Sequence, residues 1–318
     1  MTPREPWRGH VMTVEGLIPA DEMRVTLPHE HLILQGWSHL STNYFNSAYM
    51  ELVQFSQAGG TTLCDLTTVG RIRDPSFLRR LGAVAGVQVI MGTGFYKDAW
   101  LPPEVHGMSV EEMTRIMVGE IVDGVGDTGI RAGVIGEIGV SRPITATEEK
   151  VLVASARAQL ETGTAVNVHF DLGTDDREYH HALDILQEAG ADLEHVAVSH
   201  LVPSPSTYEL VEGLATRGCY VEFDMFGHTP QTSADGLLDL HLEVVVSSVR
   251  ALIDLGLLSK ILISQNVSHI RHMTANGGHG YAYLLRDLTP TFLSYGVSDQ
   301  DLRIMMENNP RELLTLRC

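Results

Sequence analysis

The sequence predicts a single (β/α)8 TIM barrel spanning residues 1–318, and three observations predict it. Short apolar or β-branched runs alternate with amphipathic helical stretches, the pattern of a parallel sheet with helical crossovers. Eight such runs occur, and no Pro/Ser-rich linker or low-complexity tract divides them. Polar residues close several of the runs, which is where a barrel carries its active site.

The first strand is the run Val25-Thr26-Leu27-Pro28, ending in His29-Glu30-His31. Thr61 to Leu66 and Val87 to Met91 read as the second and third, followed by Ala132 to Glu137, Ala165 to His169 and His195 to His200. Tyr220 to Asp224 and Lys260 to Asn266 complete the set. Between them, Ser109…Glu112, Thr145…Glu148, Ser206…Glu209 and Ser298…Asp301 read as capping boxes that start helices. Gly190 and Gly218 read as C-terminal stops for helical segments 180–189 and 206–217. Met113, Ile116, Met117 and Val125 recur at helical spacing and are expected in the core.

Composition narrows the function. Hydrophobic residues make up 44% of the chain and charged residues 19%, which suits a large buried core. A net charge of −18 leaves no basic surplus for phosphate backbones and argues against nucleic acid as a partner. No stretch approaches the roughly 20 apolar residues of a membrane span. The N-terminal ten residues lack the apolar core of a signal peptide. Cys64, Cys219 and Cys318 share no metal-type spacing and read as reduced thiols, so a cytoplasmic protein is expected.

In a strand, residues i and i+2 point to one face, so His29 and His31 present two imidazoles side by side. Such a pair alone is equally a hydrogen-bonded or surface pair. Here, however, other strand ends carry Glu137, His169, His200 and Asn266. Four histidines and a glutamate converging on one barrel mouth suit Zn²⁺ and related divalent ions.

The residues also resemble a known family. Thr13-Val14-Glu15-Gly16-Leu17-Ile18 and Thr26-Leu27-Pro28-His29-Glu30-His31-Leu32 resemble the opening of the phosphotriesterase-like branch of the amidohydrolase superfamily. Colinear matches follow at Gly60 to Thr68, Gly92-Thr93-Gly94-Phe95-Tyr96, Gly133 to Gly139, Phe223 to Gly227, Gly277 to Tyr281 and Asn309-Pro310-Arg311. The resemblance implies a barrel with two divalent metal ions, zinc first and Mn, Co or Fe as alternatives, bridged by a hydroxide. It assigns His29 and His31 to the more buried ion, His169 and His200 to the more exposed one, and Glu137 to the bridge. It also implies a homodimer. Two cations about 3.5–4 Å apart lower the pKa of a shared water and polarise the bond under attack.

The chain departs from that pattern after its last strand. Where the family has an aspartate that ligates metal and takes the proton of the hydroxide, this chain has Asn266. A carboxamide can ligate through oxygen but cannot serve as a base near neutral pH. Reduced turnover is therefore expected, and an engineered substitution or a natural member with altered catalysis both explain the exchange. The family's His-x-Asp after strand 6 is missing too, since the chain reads Ser199-His200-Leu201-Val202-Pro203. Near Gly227-His228 there is no lysine, and beyond strand 8 only Arg271 remains, which argues against phosphorylated sugar lactones.

The reading that follows is a binuclear metal-dependent hydrolase acting on small molecules, opening a lactone or cleaving a carboxylic ester. Tyr96, similar to a tyrosine bordering the metals in lactonase-like members, is the expected oxyanion helper, and its alternative is a rim aromatic. Lys97 is expected as a solvated loop lysine, with contact to a carboxylate or carbonyl as its alternative. Asp224 is expected either to orient a ligand histidine or to be a buried structural aspartate. An amide or N-acyl hydrolase is the close rival. A non-catalytic metal- or ligand-binding homologue is the rival from another class.

Overall fold

The computed structural model describes residues 5–36, 42–228 and 242–317. A short antiparallel hairpin, β1 (His10–Thr13) with β2 (Gly16–Pro19), precedes the barrel. The barrel strands are β3 (Thr26–Glu30), β4 (Thr62–Asp65), β5 (Gln88–Thr93), β6 (Val134–Val140), β7 (Val166–Phe170), β8 (Val196–Val198), β9 (Tyr220–Phe223) and β10 (Ile261–Ile263). They form one eight-stranded sheet in sequence order, paired in parallel throughout. Closure comes just past the last strand, where Asn266 N donates to His29 O at 3.1 Å and His31 N to Val267 O at 3.2 Å. All eight expected strands are present, and the hairpin is an addition that the helix–strand alternation does not announce.

Each barrel strand is buried on both faces, so alternate residues enter two different cores. Leu63, Val89, Val166, Val168, Val221, Phe223, Ile261 and Ile263 face the helices. Cys64, Ile90, Val134, Ala165, Ala197, Tyr220 and Leu262 fill the barrel interior, where Val11, Met23 and Leu313 pack against them. The hairpin and the last helix (Asn309–Leu314) thus plug the barrel at one end. Moving up each strand by two residues from this plug gives the polar layer: Asn167 and His169 on β7, Glu222 and Asp224 on or just past β9, Ser264 and Asn266 beyond β10.

Three of the four expected capping boxes form, at Ser109, Thr145 and Ser298. The one at Ser206 does not. The helix there, Tyr208–Thr216, starts after Thr207 with no side-chain cap, because the hydroxyls of Ser204, Ser206 and Thr207 bond within their own turn. Gly190 and Gly218 follow helices that end at Glu188 and Thr216, both at positive φ (97° and 104°). Met113 and Met117 are buried, with Ile116 and Val125 packed beside them. Cys64 and Cys219 are free, buried thiols, while Cys318 lies outside the described residues.

His195, buried before β8, gives a pH test of the fold away from the mouth. Burial, and then the Arg317 charge, lower its pKa from 6.5 to about 4, and its Nε2 has no hydrogen-bond partner among the described residues. The unfolded chain therefore binds a proton there that the folded chain refuses between those values. Stability from this group is full above pH 6.5 and is lost as pH falls to about 4, at most about 3 kcal/mol. Urea unfolding of metal-free protein at pH 7, 5.5 and 4.5 should show a shallower acid loss in His195→Leu than in the parent. Equal slopes would remove His195 from the account.

Candidate metal centre

Glu137 is the middle of the site. Its carboxylate lies 3.5 Å from His29 Nε2, 3.5 Å from His31 Nε2 and 2.7 Å from His169 Nδ1. His29, Glu137 and His200 each bring a ligand-capable atom within 4.8 Å of the others. Asn266 joins from the far side, its Nδ2 3.4 Å from His200 Nε2. All six expected metal-site residues meet in one buried cluster.

The backbone does more to aim these groups than strand ends alone would. Glu137, expected as the last residue of its strand, sits inside β6. Ile135 and Ile138 both pack on the helix side, and the register against β7 shifts between them. That irregularity turns Glu137 inward, and it needs Gly136, where φ is 144° and an added Cβ would meet Asn167 O at 2.6 Å. His169 likewise lies within β7, one residue before its end.

His200 is turned by a different device. With Val196 and Val198 facing the helices, simple alternation would send His200 the same way. Its left-handed backbone, φ 61°, breaks the alternation, and Asp224 holds it there. One carboxylate accepts from both the His200 backbone N–H (3.1 Å) and ring Nδ1 (2.8 Å). Asn266 is the other non-glycine residue at positive φ, 48°, among the described residues, a conformation asparagine and aspartate tolerate well. Strained backbone of this kind gathers at functional sites.

Asp224 thus fills the orienting role, and it lies 3.0 Å from His29 Nδ1 as well. Its partner Glu222 is not among the expected site residues. This carboxylate accepts from His29 Nδ1 at 3.1 Å and from Asn167 Nδ2 at 2.7 Å. An acidic residue two positions before Asp224, on the inward face of an otherwise apolar strand, was the available signal. His31 Nδ1 bonds Thr67 Oγ1 at 3.0 Å. Each of these contacts fixes the back of an imidazole and leaves its other nitrogen toward Glu137.

The electrostatics follow from burial and these neighbours. Burial lowers His31 to about 3, with Arg71 and His29 adding to the effect against the pull of Glu137. Burial and the adjacent His200 lower His169 to about 4. Both rings are neutral at pH 7, the form that ligates metal. Burial also disfavours charge on His29, but Asp224, Glu137 and Glu222 outweigh it and raise His29 well above the usual range. For Glu137, burial is outweighed by His169, His29 and His31, and its carboxyl stays well below the usual range.

Four buried polar atoms of the cluster have no hydrogen-bond partner among the described residues: His29 Nε2, Glu137 Oε2, His169 Nδ1 and Asn266 Oδ1. His169 Nδ1 and Glu137 Oε2 are close without hydrogen-bond geometry, as two donor atoms aimed at a common cation would be. Orphaned groups of this kind are costly in a protein interior. The donor set, imidazole nitrogen with carboxylate and amide oxygen, fits divalent cations such as zinc.

Around the centre, Tyr96 Oη lies 3.3 Å from His169 Nε2. Lys97 is not a free loop lysine but an ion pair with Asp171, at 2.6 and 2.8 Å. Beside Asn266, His228 Nε2 bonds the Asn266 carbonyl at 3.0 Å. His228 and Met225 also line an apolar cavity of about 140 Å³ with Leu201, Phe226 and Tyr283.

Buried imidazoles and a carboxylate gathered at one end of such a barrel place this chain among the metal-dependent barrel hydrolases. It belongs to the Phosphotriesterase family, whose pattern matches residues 9–314. It is 33% identical to a phosphotriesterase-related protein of Nematostella vectensis, over 97% of this chain and 99% of that one. The N-acetyltaurine hydrolase of Homo sapiens is also 33% identical, again over 97% of this chain and 99% of that protein. Among solved structures, a resiniferatoxin-binding protein from Rhodobacter sphaeroides superposes with a TM-score of 0.90 at 33% identity, covering 97% of this chain and 96% of that one. Family members are hydrolases built around two metal ions. Among the described residues no helix is long and apolar enough to cross a membrane.

Proposed function

We propose that this chain is a binuclear metal-dependent hydrolase that cleaves the amide bond of a small N-acyl substrate, in a form impaired by Asn266. The convergence of His29, His31, His169, His200 and Asn266 on the Glu137 carboxylate carries the metal-dependent part of this reading. The amide part rests on the N-acetyltaurine hydrolases that are 33% identical over nearly the full chain. His29 and His31 would hold the more buried ion and His169 and His200 the other, with Glu137 between them and Asn266 Oδ1 as a neutral ligand. Zinc is the expected metal.

When bound, such ions acidify a shared water and polarise the carbonyl under attack. The chain's own groups supply the rest. With His169 Nδ1 turned to the centre, its Nε2 carries the hydrogen and donates to Tyr96 Oη. The phenol proton is then free to donate to the oxygen that gains charge as the carbonyl is attacked. Burial, reinforced by Glu137, raises the Tyr96 pKa, so the phenol keeps that proton. Asn266 positions but cannot accept a proton. The cavity lined by Met225, Phe226 and His228 gives an apolar acyl group a place beside the centre.

Lactones and carboxylic esters form the second reading, and Asn266 is the observation that favours it. Their alkoxide leaving groups depart with less help from a proton-transfer group than an amine needs. A panel of N-acyl amines including N-acetyltaurine, five- and six-membered lactones and simple esters, run with zinc-reconstituted protein, tests both. Amide cleavage supports the first reading, and turnover confined to lactones or esters replaces it with the second. Two bound metals with no hydrolysis in the chain or in its Asn266→Asp variant would sink both.

A further inference from the structure

We propose that Arg71 forms an anion-binding subsite at the mouth of the barrel, which takes a carboxylate or sulfonate on the substrate. This deepens the hydrolase reading, on which it rests for the identity of the ligand as a substrate. The chain has 40 acidic residues and 22 lysines and arginines, so a guanidinium left without a carboxylate is unexpected. Arg73, two positions on, forms a two-pronged pair with Glu120 at 2.6 and 2.8 Å. Arg71 has no ion pair among the described residues.

It is held in place by neutral groups instead. Its guanidinium lies 4.9 Å from the Tyr96 ring centre and 5.6 Å from that of Trp100. The Gln35 side-chain oxygen, in the orientation that satisfies both residues, accepts from both terminal nitrogens of Arg71. One oxygen lying between the two nitrogens occupies the end of the guanidinium fork. The side edge, Nε with one terminal N–H, remains for a planar or tetrahedral oxyanion. Neutral clamps that fix a cation without cancelling it are what an anion receptor requires.

The position also suits a substrate. Arg71 lines an open cleft of about 470 Å³ whose other walls include Ile33, Leu34, Trp100 and Leu101. Tyr96 links that cleft to the centre: its ring lies under Arg71, and its hydroxyl reaches His169. The cleft lies over the ends of β3, β4 and β5, whereas the apolar cavity lies over β8 and β9. A substrate spanning the mouth would place its apolar part in one and its anion at the other, with the scissile carbonyl between.

The test compares kcat/KM for N-acetyl-β-alanine, its two-carbon sulfonate counterpart and its neutral methylamide in the zinc-loaded parent, Arg71→Met and Arg71→Lys. The anionic-to-neutral ratio should fall at least 30-fold in Arg71→Met, mainly through KM, and recover in part in Arg71→Lys. The relative losses of the two acids identify which oxyanion the subsite prefers. A merely structural Arg71 would lower all three substrates together and leave the ratio unchanged, which overturns the proposal. A second readout does not depend on hydrolysis. Acetate and methanesulfonate titrations should give a saturable fluorescence change that disappears in Trp100→Phe and in Arg71→Met. If nothing is hydrolysed but this signal is present, the hydrolase reading fails and the subsite stands. If the signal is absent, or persists in Arg71→Met, the subsite is overturned whatever is hydrolysed.

Discussion

Asn266→Asp should raise kcat on the responding substrate by about 10²–10⁴-fold, the usual worth of a placed general base. The exchange replaces an amide nitrogen by an oxygen with no change of shape, so the fold should be untouched. The backbone there already has the left-handed conformation, φ 48°, that aspartate accepts as readily as asparagine. The surroundings are ready for a carboxylate. The side chain is buried, its Nδ2 faces His200 Nε2 at 3.4 Å, and His228 holds the backbone carbonyl from behind. The gain should appear in kcat far more than in KM, because the added group acts on a proton rather than on ground-state binding. Metal affinity should rise as well, since a neutral ligand becomes an anionic one. Metal content by mass spectrometry alongside steady-state kinetics separates the two effects. If the variant holds two ions and gains less than threefold on every substrate of the panel, position 266 is not where the missing base belongs.

Much of this site is legible in the sequence, for a definite reason. His29 and His31 fall two apart on a short run, so strand period pairs them. The register shift between Leu27 and Glu30 is what turns the pair away from the helix side that Leu27 faces. His169 and Asn266 share their inward face with Ala165 and Asn167, and with Leu262 and Ser264, so alternation carries them too. What alternation could not give were the residues that enter by breaking it, Glu137 and His200 among them. Glu137 enters through the irregularity at Gly136, and His200 through a left-handed turn held by Asp224. Both were marked as site residues from their chemistry and their place near strand ends, while the geometry that admits them was invisible. Glu222 and Arg71 were missed for the opposite reason. An acidic residue inside an apolar strand is a local sign for Glu222 but does not say what it touches, and nothing local separates a clamped arginine from a solvated one. Their roles are fixed by partners far away in sequence: His29 and Asn167 for one, Gln35, Tyr96 and Trp100 for the other.

Glu137→Gln should have the largest effect of any single change: metal content falling from two ions per chain to one or none, and turnover falling more than 1,000-fold. Among the six residues of the cluster, Glu137 is the single anion. His31 and His169 are held neutral, and Asn266 has no charge to offer. Two divalent cations brought into a buried site would then have only neutral ligands, and their mutual repulsion would go uncompensated at short range. Glutamine keeps the shape and one ligating oxygen, so a loss cannot be blamed on an emptied cavity. Glu222 and Asp224 form a second cation-capable group with His29. They reach its Nδ1, whereas Glu137 reaches its Nε2, so neither takes the place of Glu137 between the histidines. The loss should also be steeper here than in a family member that retains the aspartate, since that enzyme keeps one anion when the bridge is removed. Asn266→Asp combined with Glu137→Gln tests that directly: the added carboxylate should restore at least one ion. If Glu137→Gln alone still binds two ions with the parent's affinity, the carboxylate at the centre of the cluster is not a bridge, and the two-metal reading falls with it.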